Sequence, residues 1–165
     1  MKKILEPYEK DNLILRLLLP DDINHTLQWR NNESHRPWFN TTNMISEKEH
    51  HNWYQKYLKI DNDFIFIITD QKGLLYGQLS IYRINWQART AEFGRFLANP
   101  KYENIGIMKK ACKIAIKLAK ETLNLKELTL EVKPNNQKAI HIYNSCGFIS
   151  TESNSTMTLI MKIKL

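Results

Sequence analysis

The chain has 165 residues, enough for one domain with a core of its own. Its 42% hydrophobic and 10% aromatic content excludes a disordered chain. The formal net charge is +7 but no block of five or six like charges occurs, so charge alone does not choose between nucleic acid, an acidic membrane and an anionic small molecule.

Leu13 to Leu19 (LILRLLL) reads as a first strand, ended by Pro20. Asp21 and Asp22 are placed to cap a helix through about Asn32. Ser34 to Asn43 is a loop, broken by Pro37 and carrying Trp38 and Phe39. Ser46 followed by Glu49 is a capping-box pattern, predicting a second helix to about Leu58. Asp61 to Asp63 is a turn. Phe64 to Thr69 is a strand, Gln71-Lys72-Gly73 a hairpin turn, and Leu74 to Ile84 the next strand, interrupted by Gly77. Ala91 to Ala98 is another strand. Gly94 within it signals a bulge or a close backbone approach.

Asn99 to Ala119 reads as a short loop running straight into an amphipathic helix. Ile107, Ala111, Ile114, Ala115 and Leu118 make its apolar face, and Lys109, Lys113, Lys117 and Lys120 its opposite face. A loop that opens a helix presents unpaired N–H groups at the positive end of the helix dipole, a site suited to phosphate. In the Lys-x-x-Asn-x-Gly pattern from Lys101 to Gly106, the glycine permits close backbone approach. Asn104 is one of the few residue types that tolerate positive φ.

Leu128 to Val132 is then a strand. Asn135 and Asn136 start a helix, with Ala139, Ile140 and Tyr143 on one side, that stops at Gly147. Phe148 to Thr151 and Thr156 to Lys164 complete seven strands. The last of these alternates cleanly and is a plausible edge for pairing with a second copy. The order predicts an α/β (α+β) domain over residues 1–165. Its sheet is mixed and mostly antiparallel, with helices on both faces.

Asn136 and Tyr143 lie two helical turns apart and share a face. Singly, each fits a plain role, Asn136 as a cap and Tyr143 as a core aromatic. Together with the Lys101–Gly106 loop they resemble the GNAT superfamily of acetyl-CoA-dependent N-acetyltransferases. The loop of that family usually reads Gln/Arg-x-x-Gly-x-Gly/Ala. Lys101 and Gly106 match it, and Asn104 replaces the first glycine. Its later motif is matched by Asn136, Ala139, Tyr143, Gly147 and Phe148. The resemblance implies that backbone N–H groups of Asn104, Ile105, Gly106, Ile107 and Met108 hold the CoA pyrophosphate. It also implies that Asn136 touches the pantetheine arm and that Phe96, Leu97 and Ala98 pair with that arm and polarise the thioester. A thiol has a pKa near ~8.5 and a tyrosine near ~10, so Tyr143 can donate a proton to the departing thiolate.

The stretch from Trp29 to Tyr54 resembles the nucleotide-sugar amine N-acetyltransferases of the same superfamily, the pseudaminic acid type. Trp29-Arg30-Asn31, Trp38-Phe39, Ile45-Ser46, His50 and Trp53 carry the match. Ribosomal-protein N-terminal acetyltransferases share the Trp-Arg-Asn helix. The expected acceptor is therefore an amino group on a nucleotide-linked sugar. The alternatives are a protein N-terminus or a small-molecule amine such as a polyamine. Trp38 and Phe39 offer flat apolar faces, and Arg30, Arg36 and Arg83 suit an anionic diphosphate. Glu92 and Glu131 can accept a hydrogen bond from the amine, or its proton through water.

Each residue also has a plain structural reading, in the core, in an ion pair or in solvent. A CoA-binding or nucleic-acid-binding module is the non-enzymatic alternative, and the four-residue spacing of the lysines argues instead for a solvated helix face. The two cysteines, Cys112 and Cys146, lack metal-ligand spacing, and His50 and His51 face different ways on a helix. No metal, nucleic acid or membrane partner is expected. No apolar run suits a signal peptide or a membrane span, so a cytoplasmic monomer or homodimer is expected.

Overall fold

The computed structural model describes residues 2–151 and 157–165. Its strands are β1 (Tyr8–Lys10), β2 (Leu13–Leu17), β3 (Phe64–Thr69), β4 (Leu75–Asn85), β5 (Thr90–Ala98), β6 (Glu127–Val132), β7 (Ile149–Ser150) and β8 (Leu159–Lys164). Its α-helices are α1 (Ile23–Asn31), α2 (Glu47–Tyr57), α3 (Ile107–Glu121) and α4 (Gln137–Ser145). The strands form one sheet in the order β1-β2-β3-β4-β5-β6-β8-β7. Every pairing is antiparallel except that of β5 with β6.

The central strand β3 is buried at all six residues because both sheet faces are covered. Phe64, Phe66 and Ile68 join the core under α3 and α4, with Ala111, Ile114, Leu118, Tyr143 and Phe148. Ile65 and Ile67 join the other core, with Trp29 of α1 and Tyr54 and Tyr57 of α2. The capping box at α2 forms as the sequence predicts. Ser46 Oγ accepts from Glu49 N at 3.3 Å, and Glu49 Oε2 accepts from Ser46 N at 2.8 Å.

The structure corrects three expectations. An eighth strand, β1, pairs with β2 through a tight turn in which Asp11 and Asn12 both have positive φ, the geometry of a type I′ hairpin. At α1, Asp22 occupies the N-cap but its carboxylate takes Arg16 at 2.7 and 2.9 Å and Leu19 N at 2.8 Å, not a helix N–H. The C-terminal strand β8 is internal, between β6 and β7, so it offers no free edge. Thr156, at the expected start of that strand, lies outside the described residues. No described helix is long and apolar enough to cross a membrane.

Gly77 in β4 marks a close approach. A Cβ there would stand 2.3 Å from the carbonyl oxygen of Leu97, on a backbone with φ +153°. Gly77→Ala is expected to destabilise the fold by about 2–3 kcal/mol, the upper range for overpacking. For a domain of this size that lowers Tm by about 4–12 °C, which thermal melting monitored by circular dichroism reads.

Candidate active site

The site begins where two strands part. The parallel ladder between β5 and β6 holds only Thr90–Glu127, Ala91–Leu128 and Glu92–Thr129. Beyond it β6 continues along β8 to Val132, while β5 stays with β4. The parted strands open a cavity of about 540 Å³. Phe93, Gly94, Arg95, Phe96 and Ala98 line one side, and Glu131, Val132 and Lys133 the other.

Gly94 announces a bulge. Gln78 pairs with Leu97 and Ser80 with Gly94, so two steps along β4 oppose three along β5. The extra residue falls at Arg95 and Phe96, and Arg95 has φ 52°. The bulge bends β5 and turns Phe96 toward Tyr143. Those ring centroids lie 5.6 Å apart. Leu97 then points to the opposite face and sits in the core under α1 and α2, so of the three expected pantetheine-strand residues only Phe96 and Ala98 present side chains to this cavity.

The loop before α3 forms the cavity's phosphate-sized end. Asn104 has φ 64°, the left-handed conformation that lets it stand for a glycine, and Gly106 follows with φ 80° as the N-cap of α3. No side chain caps this helix. Ser46 caps α2 and Asn136 caps α4, so α3 differs from both in leaving its first-turn N–H groups open. Asn104, Gly106, Ile107 and Met108 line the cavity. The side chains of Lys101 and Ile105 do not. Lys101 lies in a short turn whose N–H is held by Asn99 Oδ1 at 3.1 Å, and Ile105 is 60% exposed. Lys109, read from the sequence as solvent-facing, lines the cavity mouth with Lys138.

From α4 come Asn136, Ala139, Ile142 and Tyr143. Asn136 fills both roles open to it: Oδ1 accepts from Ala139 N at 3.2 Å, and the residue faces the cavity. Tyr143 is buried among Phe96 and Phe148. Burial pushes its phenol pKa well above the usual value, with Cys112, Tyr82 and Cys146 adding to the shift. It stays protonated at neutral pH and offers a hydrogen bond, not a base.

Trp38, 42% exposed, and Phe39 close the cavity from above. Lys133 Nζ crosses the gap to the carbonyl oxygens of Pro37 (2.7 Å) and Phe39 (3.3 Å), tying their loop to the end of β6. His35 braces the loop too, through Glu103 Oε1 and Trp29 O, both at 2.7 Å.

A second cavity of about 440 Å³ lies against α1 and α2, lined by Thr26, Arg30, His50, Trp53 and Gln78 among others, and Phe39 and Arg95 belong to both cavities. Arg30 stacks on Phe39, 4.1 Å from the ring centroid. Burial, and then the charge of Arg36, lower its pKa.

Five expected residues stand outside both cavities: Lys101 and Ile105, and also Arg36, Arg83 and Glu92. Glu92 lies in the paired part of β5, before the bulge. Its carboxylate takes Arg83 Nη1 at 2.9 Å, and Arg83 itself is largely exposed. They form a surface ion pair there. Glu131 does line the cavity. Arg95, Tyr82, Lys133 and the His35–Glu103 pair were missed. A lone arginine between Gly94 and Phe96 in an apolar strand was the available signal for the first.

Residues 12–149 match the family model of the acetyltransferase (GNAT) domain. The spermidine N(1)-acetyltransferase of Escherichia coli K12 is 33% identical over 135 residues, 81% of this chain and 71% of that protein. The spermidine N(1)-acetyltransferase of Vibrio cholerae is 28% identical over 137 residues, 83% of this chain and 79% of that protein. In fold, the chain is similar to the crystal structure of spermidine N-acetyltransferase from Vibrio cholerae in complex with CoA and spermine. That match has a TM-score of 0.84 at 24% identity and covers 94% of this chain and 96% of the other. The parted strands, the open α3 terminus and the buried tyrosine thus belong to a chain that is a member of the GNAT acetyltransferases, an N-acetyltransferase that uses acetyl-CoA.

Proposed function

We propose that the protein transfers the acetyl group of acetyl-CoA to a primary amine of a small molecule, with a polyamine of the spermidine class as the acceptor. The observation that carries this reading is the similarity to spermidine N(1)-acetyltransferases from two organisms over four-fifths of the chain. It displaces the nucleotide-linked sugar from first place. The pyrophosphate of CoA lies on the open N–H groups of residues 104–108, with Lys109 and Lys138 near the cavity mouth. Pantetheine runs along Phe96 and Ala98 past Asn136. The amine lone pair attacks the thioester carbon and forms the C–N bond. The C–S bond then breaks, the sulfur receives a hydrogen bond from Tyr143, and the nitrogen loses its proton to solvent or through Glu131. Glu131, facing the same cavity, suits a cationic acceptor.

One observation favours an acceptor that carries an anion, such as the nucleotide-linked amino sugar. Arg30 Nη1 and Arg36 Nε are buried without a hydrogen-bond partner, and neither residue forms an ion pair among the described residues. Each residue is half-buried, and Arg30 also donates to Thr41 O and stacks on Phe39, so it is the single buried unpaired nitrogen of each that an incoming phosphate or carboxylate could satisfy.

Thiol release with a panel of polyamines, amino-sugar nucleotides and peptides separates these readings, and the pH profile does so independently. A polyamine amine has the basicity of a lysine, about 10.4, so kcat/KM is expected to climb beyond pH 9 as free base accumulates. An amine beside electron-withdrawing oxygens, closer to an α-amino group at about 8, gives a plateau above that pH. Tyr143→Phe is expected to lower kcat roughly 10²-fold with little change in the KM for acetyl-CoA. Gly106→Val places a β-branched residue at φ +80° where a Cβ meets nothing within 4 Å. It is expected to weaken CoA binding at least tenfold by calorimetry while the protein still folds.

A further inference from the structure

Arg95 is a non-glycine residue in the left-handed region at the one place where β5 gains a residue over β4. Such a conformation persists only where the surroundings hold it. Here the holding group comes from two strands away. Asp63, buried at the head of β3, receives Arg95 Nη1 on both carboxylate oxygens at 2.9 Å. The guanidinium carbon lies over the ring of Tyr82 in β4, 3.9 Å from its centroid. Gln78 Nε2 reaches the Arg95 carbonyl at 3.4 Å. The backbone of Asp63 is itself held, by Lys2 Nζ.

These contacts share one consequence. With Arg95 bound across the sheet to β3, the chain after it must turn so that Phe96 meets Phe93, 5.3 Å between centroids, and Tyr143, 5.6 Å. The backbone from Phe96 to Ala98 then borders the cavity along its unpaired edge. We infer that Asp63 is a positioning residue for acetyl transfer: by clamping Arg95 it keeps β5 in the bulged register that aims Phe96 and its neighbouring backbone at the thioester. This rests on the acetyl-transfer reading of the cavity. Arg95 contributes through its clamp, and no contact of its guanidinium with substrate is required.

Glycine tests the inference, because glycine adopts φ 52° without a side chain to hold it. Wild-type turnover of acetyl-CoA with an accepted amine is measured first, and its absence overturns the transfer reading itself. Asp63→Asn and Arg95→Ala are then expected to lower kcat at least tenfold, with a smaller change in the KM for acetyl-CoA. Arg95→Gly is expected to recover most of that loss although its melting temperature stays below wild type, since the ion pair is gone. Asp63→Asn added to Arg95→Gly is expected to cost no further turnover. Arg95→Gly as inactive as Arg95→Ala, with both folded by circular dichroism, overturns the inference and assigns the guanidinium a direct ligand contact. Full activity in Arg95→Ala overturns it as well. If Arg95→Ala fails to fold, the Asp63→Asn and Arg95→Gly pair decides by the same comparison.

Discussion

The site depends on one constraint: β6 keeps its register with β8 to Val132 while β5 stays paired with β4, through a bulge, to Ala98, and β5 and β6 share only three rungs. Beyond the third rung the facing edges carry backbone N–H and C=O groups with no ladder partner across the gap. In a sheet, such edges invite another strand. Here α4, the α3 loop and the Trp38–Phe39 loop border the opening, which leaves room for a slender ligand. An arm with amide groups of its own, such as pantetheine, can answer those groups as a short strand would. The open helix terminus at Gly106 stands at one end of the same gap, and Tyr143 stands within it.

Burial fixes what Tyr143 can contribute. Its pKa is pushed up, further from the roughly 8.5 of a thiol, so complete proton transfer to the sulfur is uphill. A hydrogen bond that strengthens as charge develops on the sulfur needs no complete transfer, and it gains from the low dielectric of the Phe96–Phe148 surroundings. The same burial that weakens the phenol as an acid therefore improves it as a fixed donor. Its place is set by rings, two of which, Phe93 and Phe148, stack 5.6 Å apart at 15°.

Much of this was legible in the sequence because local chemistry decided it. The apolar run of β3, the capping box of α2, the amphipathic α3 and the Asn-for-Gly exchange at Asn104 are each settled by a few neighbouring residues. Asn104 tolerates positive φ through its short amide, and it adopts it. What escaped was decided by pairing across the sheet. Arg95 looks like a stray charge until the β4–β5 register shows that it is the inserted residue. Glu92 looks available until its place in the paired half of β5 puts it beside Arg83. Strand β8 looks like an edge because nothing local reveals that two-residue β7 lies outside it. Strand β1 hid in a polar segment whose Asp11-Asn12 turn was its only signal.

The acceptor is governed by local and not by net charge. At physiological ionic strength the field of a +7 chain is screened beyond about 8 Å, so distant lysines neither repel a polyamine nor recruit an anion once it has docked. What counts is which groups near the cavities still have unspent bonds. Glu103 commits Oε1 to His35 and Glu49 commits Oε2 to Ser46, one oxygen of each carboxylate, and Arg95 is bound to Asp63. Lys133 is spent on the Pro37 and Phe39 carbonyls. Glu131 faces one cavity, and Arg30, beside Arg36, faces the other. A polyamine needs carboxylates along its length, and Glu131 and Glu103 line one cavity and Glu49 the other. A phosphate needs convergent N–H donors; Arg30 reaches a cavity but already donates to Thr41 O, and Arg36 lines neither cavity. On the proposed reading, the cavity carboxylates favour a cationic acceptor, while the half-buried Arg30, beside Arg36, disfavours one.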